Sequence, residues 1–131
     1  MIKRIQVNTS LIAYNIAKDV FKDLDHEELW VLYLNHGNEP ISFERMTSGG
    51  WTSTVIDLRQ IFSTGLRHHS TGMILFHNHL SGSCNPSTSD ITNTKNVNKI
   101  SKILEIQLID HIIISGNSFY SFADEEVTTI D

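Results

Sequence analysis

The sequence predicts a single α/β (α+β) domain, residues 1–131, in which helices flank a mixed β-sheet. Three observations support this fold class. Apolar residues recur at helical spacing in several segments, short apolar runs rich in branched and aromatic residues lie between them, and turn residues separate the two. No repeat, linker or low-complexity segment interrupts this pattern, so the chain is expected to form one domain.

The first part of the chain predicts a helix followed by a β-hairpin. A short strand is expected at residues 2–7, and apolar residues at spacing four then predict an amphipathic helix over residues 10–23. Residues 29–34 form an apolar, aromatic-rich run that is typical of a central strand. A turn at residues 36–40 leads to the expected return strand at residues 41–46.

A second helix is expected after a glycine break. Gly49 and Gly50 precede a predicted strand at residues 51–56, and Asp57 can cap the helix that follows. We expect His68 and His69, at the end of this helix, to be a solvated cap or surface pair, because cations are favoured there. One side of the helix is predicted to be apolar and to carry Leu58, Ile61, Phe62 and Leu66.

The second half of the chain predicts a strand, a long helix and a closing hairpin. The apolar residues 73–76 predict a buried strand that runs into a loop rich in Gly, Ser and Asn. Ser87 and Asp90 have the spacing of a capping box, which predicts a helix that continues to about residue 104. Residues 108–115 and 119–122 predict two strands joined by a turn at residues 116–117.

Two histidines lie at the end of the strand predicted at residues 73–76. Residues two apart in a strand point to the same face, so the imidazoles of His77 and His79 can converge on one ion. Asp90 opens the next predicted helix, and the intervening loop can bring its carboxylate back over the strand end. Two imidazoles and one carboxylate are a ligand set of catalytic zinc, with the fourth position left for water.

Each of these residues also has an interpretation without a metal. A histidine pair at a strand end is often only exposed or hydrogen-bonded to its neighbours. Asp90 has a second role as the acid of the capping box, with Ser87 as the N-cap. The two roles are compatible, because Ser87 can cap the helix through one lone pair and still present its hydroxyl group to the site.

The residues of this motif resemble the RadC family, a bacterial branch of the JAMM/MPN+ metalloproteases. The family signature has a Glu on an earlier strand, then His-x-His, then a Ser eight and an Asp eleven positions after the second His, and the last two offsets hold here. The family usually has Pro at the positions of Leu58 and Leu80, and Ser83 and Cys84 also depart from it. The resemblance rests on His77, Asn78, His79, Ser81, Gly82, Pro86, Ser87 and Asp90, and extends to residues 50–62, 108–111 and 120–124.

The resemblance implies the cytidine-deaminase-like α/β/α sandwich of JAMM proteins and a zinc-dependent peptidase or isopeptidase. It implies that His77, His79 and Asp90 hold Zn²⁺ and that the substrate is a peptide or protein. Ser87 would hydrogen-bond the tetrahedral oxyanion. Full-length RadC proteins carry an N-terminal helical, DNA-binding-like region, which we expect to be absent here.

A glutamate ahead of the central strand is expected to serve as the general base. The resemblance places this role at Glu27, whereas Glu28 is one residue off and would point to the opposite face. Without the resemblance, both glutamates could equally be solvated acids that precede a strand.

Three other polar residues leave alternatives open. Asp110 or His111 could orient a ligand imidazole, or the two could form a buried structural pair. Cys84 lies close to the motif in sequence, and we expect it to be a loop residue rather than a ligand.

Composition disfavours nucleic-acid binding and a membrane location. The net charge is −5, and no basic stripe of the kind that grips phosphates is visible. The single cysteine fits a reducing compartment, and no apolar stretch approaches membrane-spanning length, so a cytoplasmic protein is expected. The sequence contains no decisive signal of its oligomeric state.

Two other classes of function remain as alternatives. The first is a non-catalytic interaction module with the JAMM fold. The second is a DNA-repair-associated accessory protein or a metal-dependent nuclease, against which the acidic balance counts. The contiguous letters His-Asn-His are not the nuclease motif of that name, whose letters are spread over a hairpin and a helix, and the Pro-Cys-x-x-Cys of a zinc deaminase does not occur.

Overall fold

The computed structural model describes residues 4–46 and 56–130 and contains one mixed sheet with helices on both faces. The helices of this part of the chain are α1 (Ser10–Phe21), α2 (Leu58–Arg67) and α3 (Thr88–Leu104). Its strands are β1 (Leu29–Leu34), β2 (Pro40–Met46), β3 (Gly72–Asn78), β4 (Gln107–Ser115), β5 (Ser118–Ser121) and β6 (Glu126–Thr129).

The six strands are arranged in the order β2-β1-β3-β4-β5-β6. All neighbouring strands are antiparallel except β3 and β4, which are parallel. A parallel pair needs a crossover connection, and α3 provides it. The N-terminus of α3 therefore lies near the C-terminal end of β3.

Two apolar cores lie on opposite faces of the sheet and confirm the α/β/α sandwich. On one face, α1 packs against the side chains of Leu32, Ile74 and Phe76. On the other face, α2 and α3 pack against Val31 and Leu75. Because side chains alternate along a strand, neighbouring residues of β1 and β3 belong to different cores.

Side-chain caps begin the three helices at the positions that local sequence favours. The Thr9 hydroxyl oxygen accepts a hydrogen bond from the Ile12 amide at the start of α1. Asp57 accepts from the Arg59 amide at the start of α2, which confirms the predicted cap. These acceptors satisfy amide groups that have no partner within the first turn.

The predicted elements are largely confirmed, with differences at the ends. The first helix stops at residue 21, and the predicted strand at residues 2–7 is wrong for residues 4–7, which form no strand. Val7 is nonetheless buried, and its amide donates to the Asn38 carbonyl at 2.8 Å. Residues 47–55 lie outside the described part of the chain, with most of the strand predicted at 51–56. The strand β6 was not predicted because three of its four residues are polar or charged.

The C-terminal end of α2 differs from the sequence prediction. Leu66 was expected on the apolar side, but 51% of its surface is exposed. His68 is the C-cap residue, as expected, yet its ring also pairs with the Glu44 carboxylate on β2. It is therefore half-buried, whereas His69 is exposed.

Among residues 4–46 and 56–130, no helix combines the length and the apolar character that crossing a membrane requires.

Truncation of Leu75 tests the core between the sheet and the two helices α2 and α3. Leu75 is 0% exposed, so Leu75→Ala leaves a cavity and is expected to lower the free energy of unfolding by about 2–5 kcal/mol. The measurement is urea denaturation followed by tryptophan fluorescence. Ile103→Ala is the control, because Ile103 is 78% exposed, and its effect should stay within about 0.5 kcal/mol.

Candidate metal centre

The C-terminal end of β3 carries the two predicted histidines on one face of the sheet. His77 belongs to β3, and His79 follows the last residue of the strand. The His79 amide donates to the Ile114 carbonyl of β4 at 2.9 Å, so the pairing continues past the strand end. The side chain of His77 is buried and that of His79 is half-buried. The site is thus open to solvent on the His79 side.

The start of α3 brings Asp90 over the same strand end. The Asp90 amide donates to the Ser87 hydroxyl oxygen at 3.0 Å, and the Ser87 amide donates to Asp90 Oδ2 at 2.7 Å. These two bonds form the predicted capping box. The box fixes the backbone and the carboxylate of Asp90 together, so the carboxylate is held in place before any ligand arrives.

His77, His79 and Asp90 form a group that could hold a metal ion. The Nε2 atoms of the two histidines are 3.2 Å apart. His77 Nε2 lies 3.0 Å from Asp90 Oδ1, and His79 Nε2 lies 3.0 Å from Asp90 Oδ2. Within residues 4–46 and 56–130, this is the only such group of three His, Cys, Asp or Glu side chains.

The hydrogen bonds of His79 show which of its atoms is available to an ion. Its Nδ1 atom lies 3.0 Å from the Ser83 carbonyl oxygen, which can only accept. Nδ1 therefore carries the proton of the neutral ring, and the lone pair of Nε2 faces the Asp90 carboxylate. A lone pair and a carboxylate oxygen repel each other at this distance unless a positive charge lies between them. The arrangement accordingly fits a bound cation, or a proton when no metal is present.

The acid–base properties of the group follow from the same contacts. The hydrogen bond to Asp90 raises the pKa of His79; burial opposes this shift, and the charges of Asp90 and Glu27 add to it. Burial alone would raise the pKa of Asp90, but its close contacts with the His77 and His79 rings outweigh it and hold that pKa far below its usual range. The carboxylate is therefore charged at neutral pH, as a metal ligand must be.

The register of β1 and β3, extended beyond the paired residues, would put Glu27 on the face of the sheet that carries the histidines. In the antiparallel pairing of β1 with β3, Leu29 is opposite His77, so extending this register by two residues sets Glu27 opposite His79. Glu27 is partly buried, and its charge contributes to the raised pKa of His79. The role of Glu27 as the acid beside the two histidines stays a prediction.

Glu28 belongs to the opposite face and has a different environment. Its buried carboxylate accepts a hydrogen bond from Trp30 Nε1 at 2.9 Å and pairs with His26 Nε2 at 2.6 Å. Arg45 lies 3.5 Å from the same carboxylate. Glu28 is thus part of an ion-pair cluster behind the sheet and does not face the candidate metal centre.

Asn78, between the two histidines, fastens the segment that carries Glu27. Its Oδ1 atom accepts from the Glu28 amide at 2.8 Å, and its Nδ2 atom donates to the His26 carbonyl at 3.0 Å. Both bonds involve the residues that flank Glu27. The side chain of Asn78 therefore holds this backbone against the end of β3.

His111 and Asp110 have separate roles, which the sequence alone left open. His111 Nε2 lies 2.8 Å from His77 Nδ1, so this buried ring contacts one of the candidate ligands. Asp110 instead accepts from the Ser121 hydroxyl and the Ala123 amide and touches neither candidate ligand histidine in the hydrogen bonds observed. The pKa of His111 is lowered well below its usual value, and burial of the ring is the main cause.

Thr94 is a polar neighbour of the site that the sequence did not single out. Its hydroxyl oxygen lies 2.6 Å from His111 Nδ1. Thr94 stands four residues after Asp90, which places both on one face of α3, and this spacing was the only available signal. Cys84 is buried and does not belong to the group of donor atoms, in agreement with its expected role as a loop residue.

The stability provided by Glu28 should depend on pH in a defined direction. Burial would raise the pKa of Glu28, but hydrogen bonds from Trp30 and His26 lower it overall, so its contribution is lost as pH falls through the folded-state pKa. Hydrogen bonds to Asp25 and Glu28 raise the pKa of His26, so the contribution of that charge is lost as pH rises through its own folded-state pKa.

We therefore expect Glu28→Gln to be most destabilising at about pH 5–6.5, between the two unfolded-state pKa values, by about 1–2 kcal/mol. The difference from the wild type should shrink at about pH 3. Urea denaturation at several pH values measures this, with the exposed Glu126→Gln as control. A difference that is constant with pH would contradict the ion-pair interpretation.

Comparison with known proteins agrees with this arrangement. A family model described as the RadC-like JAB domain matches residues 7–127. A UPF0758 protein of Flavobacterium johnsoniae is 39% identical over 127 residues, which covers 97% of this chain and 56% of that protein. A UPF0758 protein of Porphyromonas gingivalis is also 39% identical, over 95% of this chain and 56% of that protein.

The chain thus spans about half the length of these relatives, whose names state no activity. JAB domains belong to a superfamily that includes metallohydrolases. Since the family model covers nearly the whole chain, and the site residues lie within the matched region, the protein belongs to the RadC family and contains its RadC-like JAB domain.

Proposed function

We propose that the protein is a zinc-dependent hydrolase of amide bonds in peptides or proteins. One observation carries this proposal: the Nε2 atoms of two histidines and a carboxylate converge within hydrogen-bonding distance of one another. In neutral His79 the ring proton is on Nδ1, so its Nε2 atom has no proton to donate to the carboxylate. A second acid, Glu27, contributes its charge to the raised pKa of His79. A buried polar cluster with a purely structural role would instead pair its donors with acceptors.

The donor set fits zinc better than the harder divalent cations. Two imidazole nitrogens and one carboxylate are typical of catalytic zinc, whereas calcium and magnesium prefer oxygen ligands alone. Ligands about 2.0–2.1 Å from a tetrahedral ion lie about 3.3 Å from one another. The three contacts at 3.0–3.2 Å are close to that value. His77, His79 and Asp90 would therefore hold the ion.

The chemistry of hydrolysis is divided between the metal and the side chains. When bound, zinc would lower the pKa of a water molecule and polarise the carbonyl group of a substrate. Glu27 would accept the proton of the attacking water and donate it to the departing amine. Its position across from His79, on the solvent-open side of the site, suits both transfers.

Ser87 would stabilise the negative charge that develops on the carbonyl oxygen. Its oxygen accepts from the Asp90 amide, so its hydroxyl proton remains able to donate elsewhere. Ser87 is exposed at the start of α3, where the helix dipole also favours negative charge. Both features suit an oxyanion donor next to the candidate ligand Asp90.

The substrate would approach from the half-buried side of the site. His79 is the half-buried member of the group, whereas His77 and Asp90 are buried. We place the reaction in the cytoplasm, because a reducing compartment suits the single buried thiol, Cys84.

Loss of either histidine should abolish zinc binding. We expect protein purified without added zinc to contain about one zinc ion per chain, and His77→Ala or His79→Ala to contain almost none. Elemental analysis and chelator competition measure this. His36→Ala is the matched control, because His36 is exposed in the turn before β2 and should leave the zinc content unchanged. An equal zinc content in the wild type and in a His77→Ala/His79→Ala double variant would contradict the site assignment.

Loss of the Glu27 carboxylate should remove catalysis but keep the metal. We expect Glu27→Gln to lower kcat by about 10²–10⁴-fold on a peptide selected from a quenched fluorogenic library, with zinc content near that of the wild type. Glu28→Gln is the matched control. At temperatures below its melting temperature, this variant is expected to retain the kcat of the wild type, because Glu28 lies on the other face of the sheet.

The outcomes of this comparison separate the candidate functions. A zinc-containing Glu27→Gln variant with the full rate of hydrolysis would contradict the role of Glu27. A wild type that binds zinc but cleaves no member of the library would favour the non-catalytic interaction module.

A further inference from the structure

A chain of buried and part-buried hydrogen bonds runs from the backbone carbonyl of Asp90 to the Nδ1 atom of His77. We infer that Thr94 and His111 are positioning residues that hold the ring proton of His77 on Nδ1 and leave its Nε2 atom bare toward the candidate metal centre. The tautomer itself is a property of the metal-free protein, and its meaning for metal binding rests on the proposed function.

Three contacts form this chain. His77 Nδ1 lies 2.8 Å from His111 Nε2. His111 Nδ1 lies 2.6 Å from the Thr94 hydroxyl oxygen, and that hydroxyl donates to the Asp90 carbonyl oxygen at 2.7 Å. The chain therefore starts at the backbone of one candidate ligand, Asp90, and ends at the ring of another, His77.

The direction of every proton in the chain follows from its first member. The Asp90 carbonyl oxygen can only accept, so it takes the single hydroxyl proton of Thr94. The Thr94 oxygen must then accept from His111, which places the ring proton of His111 on Nδ1. A neutral imidazole has only one N–H group, so His111 Nε2 is an acceptor.

The last bond determines the tautomer of His77. Because His111 Nε2 accepts, His77 must donate from Nδ1, and its Nε2 atom has no proton. That atom is the one that lies 3.0 Å from Asp90 Oδ1. With the opposite direction of donation, a proton on Nε2 would occupy the place of the metal–ligand bond.

The ring of His111 is also held in one orientation, as this chain of hydrogen bonds requires. Phe122 stacks on it with ring centroids 4.8 Å apart and an angle of 9° between the rings. Asp110 accepts a hydrogen bond from the His111 backbone amide at 2.7 Å. The orientation of the ring therefore does not depend on its contact with His77 alone.

The test compares two substitutions at Thr94. Thr94→Val removes the hydroxyl and nearly preserves the shape of the side chain, whereas Thr94→Ser keeps the hydroxyl. Thr92→Val is the matched control, because Thr92 is exposed on the same helix. Circular dichroism establishes that each variant is folded.

The first readout is the tautomer of His77 in metal-free protein at about pH 8, above the usual imidazole pKa, from long-range ¹H–¹⁵N correlation spectra. We expect the proton on Nδ1 in the wild type and in Thr94→Ser, and a mixture of tautomers in Thr94→Val. If the His77 proton of the wild type is on Nε2, this result alone overturns the inference.

The second readout is zinc affinity by chelator competition. We expect Thr94→Val to bind zinc about 10- to 100-fold more weakly than the wild type, and Thr94→Ser and Thr92→Val to stay near the wild-type value. A folded Thr94→Val protein with an unchanged tautomer and wild-type affinity would overturn the inference. A wild type that binds no zinc but has the His77 proton on Nδ1 would support the inferred roles of Thr94 and His111 and contradict only the proposed function.

Discussion

The parallel pairing of β3 with β4 is the constraint on which the arrangement of the site depends. Two parallel neighbours cannot be joined by a hairpin, so the chain must return over the face of the sheet, and α3 makes that return. The first turn of α3 then lies above the end of β3. A single topological feature thereby brings Asp90 to His77 and His79, and places Thr94 above His111 one turn later along the helix.

The antiparallel pairing of β1 with β3 supplies the remaining acid. Its register sets Leu29 opposite His77, and the alternation of side chains then assigns Glu27 and Glu28 to opposite faces. Asn78 reinforces this choice, because its side chain is bonded to the backbone on both sides of Glu27. A slip of one residue would exchange the two glutamates and bring the Glu28 ion-pair cluster to the metal side.

Much of this could be predicted from the sequence, because the relevant signals are local. Apolar runs located the central strands, a spacing of about four residues located the helices, and Ser87 with Asp90 predicted the cap that the structure confirms. What could not be predicted depends on contacts between distant segments. The burial of Val7 follows from its bond to Asn38, and the ring of His68 pairs with Glu44 across the fold.

The same limit explains the uncertainty about the pair Asp110 and His111. These residues are adjacent in β4 and point to opposite faces, so composition alone cannot assign their partners. His111 faces α3 and contacts His77, whereas Asp110 bonds to the turn that follows β5. Only the packing of α3 over β4 distinguishes them, and that packing depends on the crossover rather than on any local pattern.

The two candidate ligand histidines share one feature that separates this group from an ordinary buried polar cluster. In both rings the Nδ1 atom faces away from the centre, toward the Ser83 carbonyl in His79 and toward His111 in His77, whereas Asp90 Oδ2 accepts from the Ser87 amide and also faces His79. The donors thus point outward, and the acceptor atoms point inward. Folding has already ordered these side chains, so binding of a cation would cost little additional side-chain entropy. The cation would also relieve the repulsion among the three inward-facing atoms.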